Sequence, residues 1–312
     1  MPPVPRPGKI HADDDWLRLQ RSPTQILHIR HLPHVHRNQI TFKAMKPYLR
    51  NLLMHICAVA AVSIAWPVDA SAQGYADYIT QAEKGDAVSQ YAVGLCYQNG
   101  KGINIDYSKA AEWFEKSASQ NLPAAQYRLG LLYYNGQGVT SDLDTAESWF
   151  RKAAMQDHLE SQYYLGLCRF EKRAFEESLI WLTKVARQDI PEAQYLAGLQ
   201  YEEALGTEQN IPEAKKWYRL AAEHGLGQAQ NHLAKLLAVE ENYTEALKWW
   251  EEAGQQGVYE ASFMAAVCYE KGYGTDINIL QALVWYLKAD EQGHPGAKTK
   301  YDELLVTLGD VL

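Results

Sequence analysis

Six tryptophans stand at near-regular intervals along this chain: Trp113, Trp149, Trp181, Trp217, Trp249 and Trp285, with a longer and a shorter spacing in alternation. A second ladder, built from the same two spacings, keeps step with them: Gln90, Gln126, Gln162, Gln194, Gln230 and Ser262. Two ladders sharing one period mean internal repeats, and a period of roughly 34 residues means paired helices stacked in a row. The fold class that follows is all-α: a solenoid of six helix-turn-helix repeats, two of them shortened, with terminal capping helices.

The second copy shows the unit in full. Pro123-Ala124-Ala125-Gln126-Tyr127 opens a helix, with proline where its missing N–H costs nothing. Leu129, Leu132 and Tyr133 follow at helical spacing beside Gly130, and Asn135-Gly136-Gln137-Gly138-Val139 breaks the run. A second helix from about Ser141 carries Ala146, Trp149, Phe150, Ala153 and Ala154 on one stripe, at i, i+3, i+4, i+7 and i+8. Gly94, Gly130, Gly166 and Gly198 recur at one position of the first helix, with Ala234 and Ala266 in the last two copies. The copies at Gln162 and Gln230 lack the glycine loop and turn through Glu171–Arg173 and Glu240–Asn242. The six tryptophans are expected in the core, so losing Trp181 should harm folding.

The pattern Ala-Gln-Tyr-x-x-Gly-x-x-Tyr-x-x-Gly-x-Gly-Val, followed by Ala-x-x-Trp-x-x-Lys-Ala-Ala, resembles the Sel-1-like repeat (SLR), a longer-looped relative of the tetratricopeptide repeat. The likeness covers residues 85–294. It implies a right-handed superhelix of antiparallel helix pairs and a role in assembling proteins. Residues 73–84 and 295–312 read as N- and C-terminal caps, because a solenoid needs polar-faced ends.

The segment 1–72 differs in kind. Met45-Lys46-Pro47-Tyr48-Leu49-Arg50 is basic, Leu52 to Trp66 is mostly apolar, and Ala70-Ser71-Ala72 offers a small-x-small site. This is the grammar of a secretory signal peptide over 45–72, cleaved after Ala72, which places the chain in the periplasm or outside the cell. The apolar run is shorter than the ~20 residues of a membrane span; an uncleaved anchor is the alternative. A signal starting at Met45 makes 1–44 an upstream extension. That segment holds five of the ten histidines, His11, His28, His31, His34 and His36, and a metal-binding arm is the rival reading.

Residues 73–312 carry 34 Asp and Glu against 21 Lys and Arg, a net of −13, where the whole chain has −8. Such a surface repels phosphate backbones, so nucleic acid is not expected as a partner, while a basic protein partner, or simply solubility, is compatible with the charge. Cys96, Cys168 and Cys268 occupy equivalent positions in separate copies and read as small buried hydrophobes. No Gly-x-Ser-x-Gly, His-Glu-x-x-His or Gly-x-x-x-x-Gly-Lys motif occurs. No catalytic residue, metal site or cofactor is expected. His158, His224 and His294 fall at helix ends, where imidazole can face water.

By analogy with the tetratricopeptide fold, the first helices line a concave face. Tyr91, Tyr127, Tyr163, Tyr195, Asn231 and Phe263 are then directed inward, flanked by Glu160, Glu192, Glu202, Glu203, Glu260 and Glu270. An aromatic stripe with acidic edges suits a peptide or loop bearing Lys or Arg, since aromatic rings give much contact area at small entropic cost. Packing between neighbouring first helices is the competing explanation for the tyrosines. Three uses stay open: an envelope scaffold or adaptor, a periplasmic immunity or inhibitor protein covering a toxin or hydrolase, and a secreted factor engaging host proteins. A hydrolase is the remote alternative.

Overall fold

The computed structural model describes residues 74–309. The upstream extension (1–44) and the signal-peptide segment (45–72) lie outside the described residues. Among those described there are fourteen α-helices and no strand. A leading helix α1 (Tyr75–Glu83) is followed by six pairs. These are α2 (Ala87–Asn99) with α3 (Tyr107–Ser119), α4 (Pro123–Asn135) with α5 (Leu143–Ala154), and α6 (Leu159–Glu171) with α7 (Phe175–Ala186). The remaining pairs are α8 (Pro191–Glu202) with α9 (Ile211–Glu223), α10 (Gly227–Val239) with α11 (Tyr243–Gln255), and α12 (Tyr259–Lys271) with α13 (Ile279–Glu291). Helix α14 (Ala297–Gly309) closes the row. Each helix packs on the next in sequence, and the short connections make packed neighbours antiparallel.

Side chains written into the connections set where helices start. Asp86, Asp106, Asp142, Asn210 and Asn278 each accept a hydrogen bond from a backbone N–H of the following turn. Those first-turn donors have no partner inside the helix, so such caps contribute roughly 1 kcal/mol apiece. The glutamine ladder completes the opposite ends. Gln90, Gln126, Gln162, Gln194 and Gln230 donate from Nε2 to the carbonyls of Ala82, Ala118, Ala154, Ala186 and Ala222, at 3.1–3.2 Å. Each buried amide thus ties a first helix to the C-terminal turn of the helix before it, satisfying a carbonyl that the helix leaves open.

The core runs one residue beyond the tryptophan ladder. Phe114, Phe150, Leu182, Tyr218, Trp250 and Tyr286 each directly follow a ladder tryptophan and have almost no exposure. Trp217, Trp249 and Trp285 are buried, but Trp113, Trp149 and Trp181 are only half-buried, which corrects their assignment to the core. Lysine ammonium groups lie over all six rings, as with Lys152 at 3.7 Å from the Trp149 ring centroid and Lys116 at 4.0 Å from Trp113. A tryptophan that faces water along one edge can hold a cation there. The first-helix glycine answers to the deeper ladder. A Cβ added to Gly94 or Gly130 would stand 2.6 Å from the Phe114 or Phe150 ring. Cys96, Cys168 and Cys268 are buried and unpaired.

The junctions between pairs are closed in two ways. At the long loops, Gly138, Gly206 and Gly274 rest on the backbone that opens α3, α7 and α11, so that an added Cβ would lie 2.3–2.4 Å from a carbonyl carbon. At the two short turns, ion pairs take over. Glu147 on α5, 6% exposed, is bound at 2.6 Å by Arg169 and by Lys172 from the third copy, and by Arg151 of its own helix. On α9, Lys215 and Arg219 pair with Glu240 and Glu245 of the fifth copy.

Candidate partner-binding site

The first helices α2, α4, α6, α8, α10 and α12 place one residue, next to the ladder glutamine or serine, at the same point of every copy. In five copies it is aromatic. Tyr127 is 7% exposed, packed among Phe150, Tyr164 and the His158 ring. Tyr91 leans on Phe114, Tyr195 on Tyr218 and His232, and Phe263 on Tyr286, with His294 stacked at 4.1 Å. Tyr91, Tyr163, Tyr195 and Phe263 are half-buried. Each ring contacts its own copy's core residue or a neighbouring copy, so much of the stripe does serve packing. Burial pushes the Tyr163 phenol upward, and that of Tyr195 to about 12. Both are neutral hydroxyls at physiological pH.

The carboxylates divide into two kinds. Glu202 is committed: its Oε2 accepts from the Tyr218 hydroxyl at 2.6 Å and faces His232 Nδ1 at 3.0 Å, which obliges the Nδ1–H tautomer. Burial works to raise its carboxyl, but His232, Tyr218 and Lys235 outweigh that and hold it below the usual range. Glu203 is exposed at the end of α8, and Glu192 is half-buried beside Tyr163, whose phenol feels its charge. Glu260 acts on Tyr195, Lys235 and His294 together. The structure therefore brings Tyr195, Glu202 and Glu260 into one cluster, while Glu192 belongs with Tyr163.

The histidines have a role that reading them as helix-end, water-facing groups did not capture. His158 and His294 lie against Tyr127 and Phe263, and burial lowers the pKa of both imidazoles. Of the three only His224 is exposed, its Nδ1 2.9 Å from the Leu220 carbonyl oxygen, while His158 stands at a helix end as the N-cap of α6, its Nδ1 accepting from the Ser161 N–H. Lys235 escaped the sequence reading altogether. The signal was present, because its equivalents five residues past the ladder are Leu95, Leu131, Leu167 and Leu199. Among the described residues, no group of three or more His, Cys, Asp or Glu side chains could hold a metal ion. No described helix is long and apolar enough to cross a membrane.

Six helix pairs, the first helix of five of them stapled to the helix before it by a buried glutamine, define an α-helical repeat protein. The chain belongs to the Sel1 repeat family, whose model matches residues 87–122, 123–158, 191–226, 227–258 and 260–294. The unmatched third copy is built the same way: Gln162 makes the same carbonyl bond, and Gly166 faces Leu182. The fold is similar to the crystal structure of a protective antigen present in uropathogenic Escherichia coli strains displaying an SLR fold. That match has 28% identity and a TM-score of 0.70, and covers 75% of this chain and 52% of the other. It is also similar to a Sel1 repeat protein from Oxalobacter formigenes, with 28% identity and a TM-score of 0.56, covering 67% and 89%. The chain thus spans about half the length of the first of these. A search of curated proteins gives no match.

Proposed function

We propose that this chain is a non-enzymatic protein-binding scaffold of the bacterial cell envelope, which holds a peptide or loop of a partner protein on the face of its first helices. The observation that carries the reading is the row of half-buried rings, Tyr91, Tyr163, Tyr195 and Phe263, with the Glu192 and Glu260 carboxylates acting on it and Glu203 exposed at the end of α8. Half-exposed aromatics offer contact area, and the acidic rim, in a segment of net −13, selects a partner with Lys or Arg. The envelope placement rests on the signal-like segment 45–72. A surface-exposed or secreted role is the second reading, favoured by the likeness to a protective antigen.

Affinity capture with the full chain, from envelope and culture-medium fractions separately, tests both. One dominant partner is expected, lost with Glu203→Lys and Glu192→Lys while circular dichroism stays unchanged. Glu203 serves better than Glu202 here, because reversing Glu202 would also break its bonds to Tyr218 and His232. Capture unaffected by either reversal would remove the acidic rim from the proposal. N-terminal sequencing of the exported protein decides the placement: a start at Gln73 supports it, and an intact N-terminus in the cytoplasm refutes it.

A further inference from the structure

The outer side of α13 departs from that of the other second helices. Leu280, Val284 and Leu287 are 68%, 58% and 43% exposed, and Ile277, just ahead of the helix, is 65% exposed. The other copies put charged or hydroxyl side chains at most of these points. At the Leu287 position stand Glu115, Arg151, Thr183, Arg219 and Glu251, and at the Val284 position the fourth and fifth copies carry Lys216 and Lys248. The inner side of α13 is apolar as well, with Ala282, Leu283, Trp285, Tyr286 and Ala289 buried. A helix that is apolar all round belongs in an interior, yet the outer side of α13 is open. Leu305 and Val306 on the neighbouring α14 are exposed too, so apolar surface gathers at this end of the row.

We infer that this stripe is a self-association surface: α13 packs antiparallel on α13 of a second copy, about a two-fold axis at Val284. The spacing names the occupant as a helix. Positions 277, 280, 284 and 287 follow one another at three, four and three residues, the a/d seam by which two helices interlock. Charge and register name that helix as this chain's own. No charged side chain stands between Asp276 and Lys288, so nothing here selects a partner by charge. Elsewhere two copies of a segment with net −13 repel each other, and at this stripe they do not. The stripe also closes on itself. Antiparallel pairing sets Leu280 against Leu287 of the second copy, Leu287 against its Leu280, and Val284 against its Val284, the same patch on both sides as a two-fold contact requires. Glu291, next on the line and exposed, ends the seam. The contact is small: three or four side chains from each copy stay under the ~1,200 Å² at which stable interfaces begin, so the dimer is weak and reversible. The stripe belongs to a second helix and the proposed partner face to first helices, so the two readings stand or fall separately.

Sedimentation equilibrium of the full chain, from about 5 to about 500 µM, tests the pairing. The wild type is expected to move from monomer toward dimer across that range, and more readily in high salt, because screening weakens the repulsion between acidic copies. Val284→Lys and Leu287→Arg place residues of other copies at the seam, so the fold tolerates them. Each is expected to weaken association by roughly tenfold or more, since every pairing would then bury two like charges, while circular dichroism stays unchanged. Val284→Cys is expected to form an intermolecular disulfide on mild oxidation, above the wild-type background. Lys216→Cys, exposed at the same point of the fourth copy, is expected not to. A wild type that stays monomeric throughout overturns the pairing, and leaves the stripe to a foreign helix or to the apolar run at 52–66. Association that both charge variants keep, or that high salt weakens, also overturns it. So does a Val284→Cys chain that cross-links no more than Lys216→Cys.

Discussion

Gly138→Ala should be far more damaging than an alanine at an equally left-handed glycine elsewhere. Gly138 has φ +71°, and an added Cβ would stand 2.3 Å from the Tyr107 carbonyl carbon and 2.5 Å from Ser108 N. Both are backbone atoms at the start of α3, and the Ser108 hydroxyl also donates to the Gly138 carbonyl at 2.8 Å. No flexible side chain can swing aside. Alanine in the left-handed region costs about 1–2 kcal/mol by itself. Forcing the first turn of α3 away from the loop adds about 1–3 kcal/mol of overpacking. The expected loss is therefore about 2–5 kcal/mol. Gly225 supplies the control: its φ is +84°, yet nothing lies within 4 Å of an added Cβ, so Gly225→Ala should cost only the conformational ~1–2 kcal/mol.

The difference between the two variants measures the contact between copies, apart from backbone strain. Urea unfolding of the full chain, followed by far-ultraviolet circular dichroism, gives it as the difference between the two unfolding free energies, each taken from its own midpoint and slope. Because neighbouring repeats cooperate through their interfaces, Gly138→Ala should also broaden the transition by weakening one coupling. Equal losses in the two variants would refute the claim that the loop glycine closes the junction. Gly138 would then be no more than a turn residue.

Trp250→Ala, at the fully buried position, should cost about 3–5 kcal/mol, and Trp181→Ala, half-buried beneath Lys184, roughly half of that; comparable losses in denaturant titrations would contradict the placement of the core one residue past the tryptophan ladder. Glu147→Gln leaves Arg169 and Lys172 around a lost charge and should destabilise by about 2–3 kcal/mol, discounted from the fully buried case because those cations retain some exposure. Glu240→Gln, at the more open Lys215 pair, should cost less than about 1 kcal/mol, and a reversed order would refute the burial argument. The folded-state pKa of His158 and of His294 lies below the usual 6.5 through burial. The unfolded chain therefore binds protons more readily, so their contribution is complete above pH ~6.5 and is lost as pH falls below it. The urea midpoint should drop between pH 7.5 and 5.5, and less steeply in His158→Asn, which keeps a capping side chain for Ser161; parallel slopes would exclude His158 as a source.

The sequence carried the architecture because its signals were periodic, and it hid whatever depended on a partner in another copy. The glutamine ladder was visible as a period, yet its bond to a carbonyl of the preceding helix becomes apparent only once two helices lie end to side. The tryptophans drew attention because one letter repeats. The deeper position reads Phe, Phe, Leu, Tyr, Trp, Tyr and shows no fixed identity, since size and burial are what it keeps from copy to copy. The tyrosine stripe was legible for the same reason as the tryptophans. Lys235 was not, because a helical lysine ordinarily reads as solvated. Only superposing the copies shows that it replaces a leucine.

The alternation of longer and shorter spacings between tryptophans has a physical meaning in this structure. A second helix exposes its first-turn backbone at each junction, and the next copy must cover it. A long loop does so with glycine backbone, which approaches closely and needs no charge. A short turn cannot reach, so the gap is bridged by side chains. The two short junctions solve this with opposite signs: Glu147 with Lys172 in one, Lys215 with Glu240 in the other, at equivalent positions two copies apart. A bridging contact needs only opposite charges on its two sides, so either sign can stand on either side of the joint. The long junctions are thus set by sterics and the short ones by charge, and only the short ones should soften with salt. That places the salt-sensitive joints at the third and fifth copies, where Lys172 meets Glu147 and Glu240 meets Lys215.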